Sequence, residues 1–186
     1  MKALLERRSV RAYKPDQLPK EVLEQVVAAG KLAPSAMNKQ PYHITVVTSP
    51  EKLEVLSGLA QKEMLANPNL PPHIREKITA PDFNGIYHAP CMILVSHDEN
   101  GGAWAASDAA LVCENMMIAA REFEVGSCWL GAYSHIWKLE GVPEVLHTEF
   151  GIPEGYKLNA GIVFGYPADG FPQPRERRTD NVNWVE

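Results

Sequence analysis

The amino-acid sequence predicts a sandwich of helices and strands in two or three layers, of either the α/β or the α+β class. Short apolar runs with strand character alternate along the chain with stretches of helical periodicity. One helical stretch is apolar on nearly all sides, so it requires cover from other elements. The 186 residues contain no repeat, low-complexity tract or linker. We therefore predict a single domain over residues 1–186.

The first long helix is predicted between Pro19 and Pro34, where apolar residues recur at helical spacing and proline stands at either end. The β-branched run HITVVT at 43–48 predicts a strand. Ser49 and Pro50 then have the pattern of a helix cap and first turn. The chain thus begins with a helix, a turn, a strand and a second helix.

The middle of the chain changes character twice. Residues 66–85 are rich in proline and asparagine, which predicts an excursion carrying one short helix and is the most plausible place for a lid or substrate loop. The apolar run at 90–96 predicts a buried strand. Residues 103–123 then run for about five turns with little polarity. We expect this stretch to be the central helix of the fold.

Two more strands are predicted at 125–133 and 157–167, separated by a short helix at 143–151. The chain from Pro172 onward is too polar to form core by itself, and Trp184 is an unusual residue to leave in water. We therefore expect the tail to be held by another surface, which favours a dimer.

Basic residues are concentrated near the two ends of a chain whose formal net charge is −5. Short basic clusters are often solvated surface charges, and an acidic chain does not favour a nucleic-acid partner, which requires a broad basic surface. Cations gathered at two places favour one compact anion, such as a phosphate. These residues are Arg7, Arg8, Arg11 and Lys14 near the start, and Arg175, Arg177 and Arg178 near the end.

Cysteine and histidine spacing indicates neither a disulfide framework nor a metal site. The three cysteines are an odd number without CxxC spacing, and the six histidines show no HxxxH or HExxH pattern. No stretch approaches the roughly 20 apolar residues of a membrane span, and the amino terminus carries charges where a secretory signal needs an apolar run. We expect a cytoplasmic protein with no metal and no membrane partner.

Two further segments carry groups suited to a flat ligand, although each also has an ordinary structural explanation. APSAMNKQPY at 33–42 offers neutral donors and acceptors for the polar edge of a heterocycle, or is only a turn. GSCWLG at 126–131 has glycines that would let a ring approach the backbone, or that mark a bulge. Combined with the arginines, these segments favour a nucleotide-like ligand such as flavin mononucleotide (FMN).

Other nucleotide and nucleophile motifs are weaker. The sequence has neither a GxGxxG after a strand nor a GxxxxGK[ST], so the Rossmann fingerprint and the P-loop are absent. Cys128 has no visible base nearby, and its apolar neighbours Trp129 and Leu130 favour an inert thiol over a nucleophile. We therefore leave the catalytic residue unassigned.

Four motifs, in this order, resemble the nitroreductase family of FMN-dependent NAD(P)H oxidoreductases: RRSVR at 7–11, APSAMNKQPY, GSCWLG, and GYP followed by the arginine-rich tail. Each motif alone is weak, but four in register across nearly the whole chain are specific. The resemblance implies an α+β sandwich with a central, mostly antiparallel sheet flanked by helices. It also implies an intertwined homodimer with two FMN molecules bound in the dimer interface.

The resemblance further implies which residues contact FMN. The N-terminal motif, whose arginines grip the phosphate and whose last basic residue approaches the pyrimidine side of the ring, is matched by Arg7, Arg8, Ser9 and Arg11. Positions that reach the flavin from the other subunit are matched by Ser35, Asn38 and Gln40. The strand lying along the flavin is matched by Cys128, Trp129, Leu130 and Gly131. The basic pair that completes the phosphate site is matched by Arg175 and Arg177.

By the same resemblance, the protein is a flavoprotein that takes hydride from NADH or NADPH and passes it to a small acceptor such as a nitroaromatic or a quinone. One shared flavin face implies a ping-pong order, and Arg11 would stabilise the negative charge of the reduced ring. Two alternatives remain open. One is a non-catalytic flavin- or nucleotide-binding protein, and the other is a flavin enzyme of this fold that performs dehalogenation or dehydrogenation.

Overall fold

The computed structural model describes residues 1–186 and contains six α-helices and four β-strands. None of these helices combines the length and the apolar character that crossing a membrane requires. The helices are α1 (Lys2–Glu6), α2 (Lys20–Lys31), α3 (Pro50–Leu65), α4 (Pro72–Thr79), α5 (Ala105–Glu122) and α6 (Val142–Phe150). The strands are β1 (Tyr42–Val47), β2 (Cys91–Asp98), β3 (Gly126–Leu130) and β4 (Tyr156–Gly165).

Every helix and strand predicted from the sequence is present, with its bounds shifted by a few residues. The Ser49 hydroxyl caps α3 by accepting from the backbone N–H of Lys52, as the sequence pattern predicts. The strand predicted at 125–133 is shorter, because the chain turns into a 3₁₀ helix at Gly131–Ser134. Helix α1 was not predicted, since five residues are too few to show helical periodicity.

The four strands form one sheet in the order β1-β2-β4-β3, and every neighbouring pair is antiparallel. This arrangement confirms the α+β prediction and rules out the α/β alternative, which requires parallel strands joined by crossovers. The helices therefore pack on the faces of the sheet and do not serve as crossovers between parallel strands.

The sheet is buried on both faces, which makes three layers. Alternate β2 side chains point to opposite faces. Ile93 and its neighbours on one face pack in a cluster with residues of α2 and α5, such as Val26 and Met116. Leu94 on the other face belongs to a second cluster with Leu56 of α3 and Leu146 of α6. Helix α5 packs against α2 and the sheet, as the sequence predicts, but it is not covered on nearly all sides, because Leu111 on its outer face is exposed in this chain.

The segment after α1 extends the sheet beyond β3. The backbone N–H of Val10 donates to the Ser127 carbonyl oxygen at 3.0 Å. A Cβ atom added at Gly126 would lie 2.7 Å from Val10 Cγ2. Of the two explanations offered for this glycine, a ring approach and a bulge, neither applies at Gly126, because the protein's own N-terminal segment makes the close approach.

The same N-terminal segment also pairs with the chain that follows β4. Lys14 N–H donates to the Tyr166 carbonyl oxygen at 2.9 Å, and Ala168 N–H donates to that of Ala12 at 3.0 Å. Beyond Ala168 no residue makes a backbone–backbone hydrogen bond. Residues 172–186 are all exposed, and Trp184 is 87% exposed. The two ends of the chain thus meet beside β3, and the tail continues from there over the surface.

Candidate functional site

The two arginine clusters line one groove, with a volume of about 510 Å³, where the N-terminal segment meets the start of the tail. Five arginines face this groove, and Asp169 is its single carboxylate. The structure thus brings together residues from opposite ends of the sequence. The groove is lined by Arg7, Arg8, Ser9, Val10, Arg11, Ala12, Asp169, Gly170, Pro172, Gln173, Arg175 and Arg177.

Arg8 is held in place before any ligand arrives. Its Nη1 donates to the carbonyl oxygen of Leu5 at 2.8 Å and to that of Arg7 at 2.7 Å. Its Nε is buried and has no hydrogen-bond partner in the protein. Buried donors of this kind are normally satisfied. The guanidinium of Arg8 therefore retains unused donor capacity at the groove.

The other N-terminal arginines are less restrained. Arg7 Nε lies 3.6 Å from a carboxylate oxygen of Glu114 on α5, an ion pair that is only partly shielded from water. Arg11 is exposed and makes no ion pair. Because one carboxylate cannot neutralise five guanidinium groups, the groove has a positive potential that favours a compact anion.

The predicted β3 segment adjoins this arginine groove. Ser9 forms an isolated parallel bridge with Ser127, the residue before Cys128. Burial raises the pKa of the Cys128 thiol, and Arg11, the Ser9 hydroxyl and Arg7 oppose that rise to a lesser extent. The net direction favours the neutral thiol, in agreement with the prediction that Cys128 is not a nucleophile.

The side chains of this segment are used mainly for packing. Cys128 and Leu130 belong to the cluster on the α3 and α6 face of the sheet, and Trp129 packs against the cluster on the α2 and α5 face. Gly131 is exposed, and a Cβ atom added to it would have no atom within 4 Å. A flat ligand could therefore approach this segment at Gly131 and along the backbone, while the neighbouring side chains stay in the core.

The third predicted group, Ser35, Asn38 and Gln40, lies on a tightly folded loop. The Ser35 hydroxyl accepts from the Gln40 backbone N–H at 2.9 Å, and Gln40 Nε2 donates to Asn38 Oδ1 at 3.2 Å. Met37, Asn38 and Gln40 all have positive φ angles of 49° to 53°. Non-glycine residues adopt this conformation rarely, so the loop stores backbone strain.

Buried Asp108 anchors this loop to α5. Its Oδ2 accepts from the backbone N–H of Ala36 at 3.1 Å. Ser35 and Ala36 then line a second groove, of about 330 Å³, together with exposed Trp104 and Leu111. This second groove shares no lining residue with the arginine groove.

The two grooves lie beside different parts of α5. The second groove is lined by Leu111 and by residues before it, whereas Arg7 of the arginine groove pairs with Glu114 and the neighbouring Glu6 pairs with Arg121 in the last turn. Within one chain, the two arginine clusters and β3 therefore lie together. Ser35, Asn38 and Gln40 lie on a separate loop.

Several residues of the site were not found by sequence reasoning. Asp169, Gly170 and Gln173 line the arginine groove, and Asp108 holds the strained loop. An aspartate near the start of a helix with little polarity is the signal available for Asp108, because a buried carboxylate needs a partner. The others carry no motif, since their position depends on how the tail lies against the N-terminal segment.

The donor set of the arginine groove fits a phosphate monoester. Such a group carries a charge of about −1.5 to −2 at neutral pH and three acceptor oxygens. Arginine forks bind these oxygens in pairs, and such charge-assisted bonds are stronger than neutral ones. The orphaned Nε of Arg8 and the excess of arginines over carboxylates are the features that match this ligand.

Comparisons with known proteins give a consistent result. The model of the family described as "Nitroreductase family" matches residues 4–166. A crystal structure of a nitroreductase with bound FMN from Bacteroides fragilis NCTC 9343 is 31% identical, with a TM-score of 0.88 and coverage of 100% of this chain and 97% of that chain. An Archaeoglobus fulgidus protein provisionally named NADH dehydrogenase/NAD(P)H nitroreductase is 31% identical, over 91% of this chain and 86% of its own. The FMN reductase (NADPH) of Bacillus subtilis is 28% identical, over 91% and 66% respectively.

Proposed function

Because the chain belongs to the nitroreductase family, we propose that it is an FMN-dependent oxidoreductase that transfers hydride from NAD(P)H to a small acceptor such as a nitroaromatic or a quinone. The observation that carries this proposal is the convergence of five arginines from both chain ends on one groove beside β3. That groove supplies a phosphate site, its residue Ser9 pairs with Ser127 of β3, and the backbone is open at Gly131 just after that strand. These are the two parts that FMN requires.

In this proposal the residues divide by role. Arg7, Arg8, Ser9, Arg175 and Arg177 hold the phosphate, and the backbone from Cys128 to Gly131 supports the ring. Arg11, exposed at the groove and close enough to Cys128 to affect its pKa, is the cation available to the ring edge. When bound, FMN would supply the redox chemistry that carries hydride from NAD(P)H to the acceptor in a ping-pong order. The protein binds and orients the flavin and supplies the charges around it. No side chain is assigned as a dedicated acid or base.

We also propose that the functional unit is a homodimer. Helices α1 and α5 contact each other and expose Leu4, Leu5, Trp104 and Leu111, which are large apolar residues that a monomer would leave in water. A two-fold partner would bring its own Ser35, Asn38 and Gln40 toward the arginine groove of the first chain. A stable interface of this kind buries more than about 2,000 Å². Light scattering should report a dimer at micromolar concentration, and an FMN-loaded monomer would contradict this proposal.

A cytoplasmic location fits the cysteine chemistry. Cys91, Cys113 and Cys128 are all free and buried. Free thiols persist in a reducing compartment, whereas oxidising compartments favour disulfides. We therefore propose that the protein works in the cytoplasm, where NADH and NADPH are available as electron donors.

The first test of the proposal is whether the protein binds flavin, which visible absorption spectroscopy detects. The protein purified from its host, or reconstituted with FMN after purification, should show the visible absorption bands of a bound flavin. A protein that acquires no flavin bands after reconstitution would contradict the proposal. Riboflavin, which has the same ring without the phosphate, is the matched ligand and should bind more weakly.

Turnover separates the oxidoreductase from its alternatives. NAD(P)H oxidation should be slow without an acceptor and should accelerate when a quinone or a nitroaromatic is added. A protein that binds FMN but oxidises NAD(P)H at the same rate with and without acceptor would favour a flavin-binding protein. Conversion of a halogenated or saturated substrate in place of these acceptors would favour dehalogenation or dehydrogenation.

A further inference from the structure

We propose that Arg121 is a positioning residue for the arginine groove, because it holds the arginine-bearing tail against the body of the protein. This inference rests on the proposed function, since it treats the groove as the site of the FMN phosphate. Arg121 itself does not line the groove. Any effect that it has on cofactor binding must therefore pass through residues that do.

The guanidinium of Arg121 is fixed from three sides. Arg121 lies in the last turn of α5, and its side chain is only 13% exposed. Its Nη2 is 2.8 Å from Glu6 Oε2, and its Nη1 is 2.6 Å from Glu124 Oε1. The ring of Phe171 lies over it, with the ring centroid 4.1 Å from Cζ. This geometry combines two ion pairs with a close cation–π contact.

Two of these partners stand next to the groove in the sequence. Glu6 immediately precedes Arg7, and Phe171 lies between Gly170 and Pro172. Arg7, Gly170 and Pro172 all line the groove. Arg121 thus contacts both segments that supply the groove, one residue away from the lining in each case.

The tail depends on this contact more than the N-terminal segment does. The N-terminal segment has backbone hydrogen bonds to β3 and to the chain after β4. The tail has no backbone–backbone hydrogen bond after Ala168, and its one ion pair, Arg178 with Asp180, lies within the tail itself. Phe171, which packs against the hydrophobic cluster on the α3 and α6 face and stacks on Arg121, therefore fixes the start of the tail that carries Arg175 and Arg177.

Loss of this attachment should weaken phosphate binding without removing any phosphate ligand. A segment that is free before binding must be ordered during binding, and the lost conformational freedom lowers the affinity. An Arg121 with only a structural role would affect stability, and its effect on FMN would not depend on the tail arginines. Coupling between Arg121 and those arginines distinguishes the two roles.

The test measures FMN dissociation constants of the full-length chain by quenching of flavin fluorescence, with riboflavin as the ligand that lacks the phosphate. We expect Arg121→Ala to weaken FMN binding by about fivefold to twentyfold and to change riboflavin binding by less than about twofold. In a chain already carrying Arg175→Ala and Arg177→Ala, adding Arg121→Ala should weaken FMN binding by less than about twofold further.

Variants at Phe171 keep the test decisive if Arg121→Ala does not fold. Phe171→Leu removes the aromatic face while keeping an apolar side chain, and should weaken FMN binding by about threefold to tenfold. Phe171→Tyr keeps the face and should bind within about twofold of the parent chain. The same riboflavin and tail-arginine controls apply to both variants.

The outcomes separate this inference from the function on which it rests. A parent chain that does not bind FMN would contradict the proposed function itself. A parent chain that binds FMN, with Arg121→Ala and Phe171→Leu binding equally well, would overturn only the role of Arg121. Equal losses with and without the tail arginines, or equal losses for FMN and riboflavin, would also overturn it.

Discussion

The N-terminal and C-terminal arginine segments line the same groove but are built in different ways. Residues 9–14 pair with β3 and with the chain after β4 through backbone hydrogen bonds, and Val10 and Tyr13 are buried in the core. Residues 172–186 are exposed and make no backbone–backbone hydrogen bond. The N-terminal arginines lie in, or directly before, a segment bonded to the sheet, and the C-terminal arginines lie on an exposed tail.

This difference teaches that equal charges need not contribute equally to binding. An arginine whose backbone is already ordered loses little conformational freedom when it meets an anion, whereas one on a mobile segment loses more. Arg8, with Nη1 bound to two carbonyl oxygens, is the more preorganised donor. We therefore expect the N-terminal arginines to contribute more to FMN affinity than the tail arginines do.

The largest expected effect comes from displacing the built-in segment. Gly126→Ala would place a Cβ atom 2.7 Å from Val10 Cγ2 and 2.9 Å from Val10 Cβ, so Val10 and the N-terminal segment that carries it must shift away from β3. Overpacking of this kind destabilises by about 1–3 kcal/mol. We expect denaturant unfolding to show this loss of about 1–3 kcal/mol in the free energy of unfolding. FMN binding should also be at least about tenfold weaker, because Arg8 moves with the segment.

The control for Gly126→Ala is Gly58→Ala on α3. Gly58 is exposed, and an added Cβ atom has no atom within 4 Å. Alanine is the better helix former, so this variant should gain about 0.5–1 kcal/mol in the free energy of unfolding and bind FMN as the parent does. If Gly126→Ala behaves like Gly58→Ala, the N-terminal segment is not built into the sheet as described.

An effect on FMN binding without the loss of stability should separate the two arginine segments directly. Arg8→Ala should weaken FMN binding by about one to two powers of ten, since one charge-assisted bond contributes about 1.5–3 kcal/mol. Arg175→Ala should also weaken it, but by less, because the tail must be ordered on binding. FMN titration of the two variants gives the two dissociation constants, and Arg8→Ala should have the larger one. A larger loss for Arg175→Ala would reverse the comparison between the segments.

The smallest effect concerns the thiol beneath the N-terminal segment. Burial raises the pKa of Cys128, so at pH 8 the thiol stays protonated and should react slowly with a thiol reagent in the folded protein. Gly126→Ala should accelerate this reaction, because the Ser9 segment no longer covers the strand. Cys91 and Cys113, whose pKa values burial raises to about 12, should remain unreactive in both proteins. Fast labelling of Cys128 in the parent chain would mean that the N-terminal segment separates from β3 in the folded protein.

Sequence patterns predicted the elements of this fold well because each element has a local cause. Apolar periodicity predicted α5, and the Ser49–Pro50 pair predicted the start of α3. The meeting of the two arginine clusters was predicted from charge and from the family resemblance. That resemblance also predicted the antiparallel sheet, whose strand direction the residues alone left open.

What the sequence could not predict depends on contacts between distant parts of the chain. Val10 fills the space beside Gly126, and a glycine in a strand has the same appearance whether a ligand or a side chain approaches it. Arg121 is one basic residue at the end of a helix, where a cation is ordinary, and only the fold places it between Glu6 and Phe171. The strain at Met37, Asn38 and Gln40 likewise has no signature in the sequence.

The central claim is that both arginine segments bind one anion. Its most direct measurement is a double-mutant cycle of Arg8→Ala and Arg175→Ala, read as FMN dissociation constants with riboflavin as the phosphate-free control. Groups that share a partner couple by about 0.5–3 kcal/mol, whereas independent sites add. We predict that the double variant departs from the sum of the single losses by an energy in that range, for FMN alone. Additive losses would place the clusters on separate sites, and an unchanged dissociation constant for Arg175→Ala would make the tail an ordinary solvated surface.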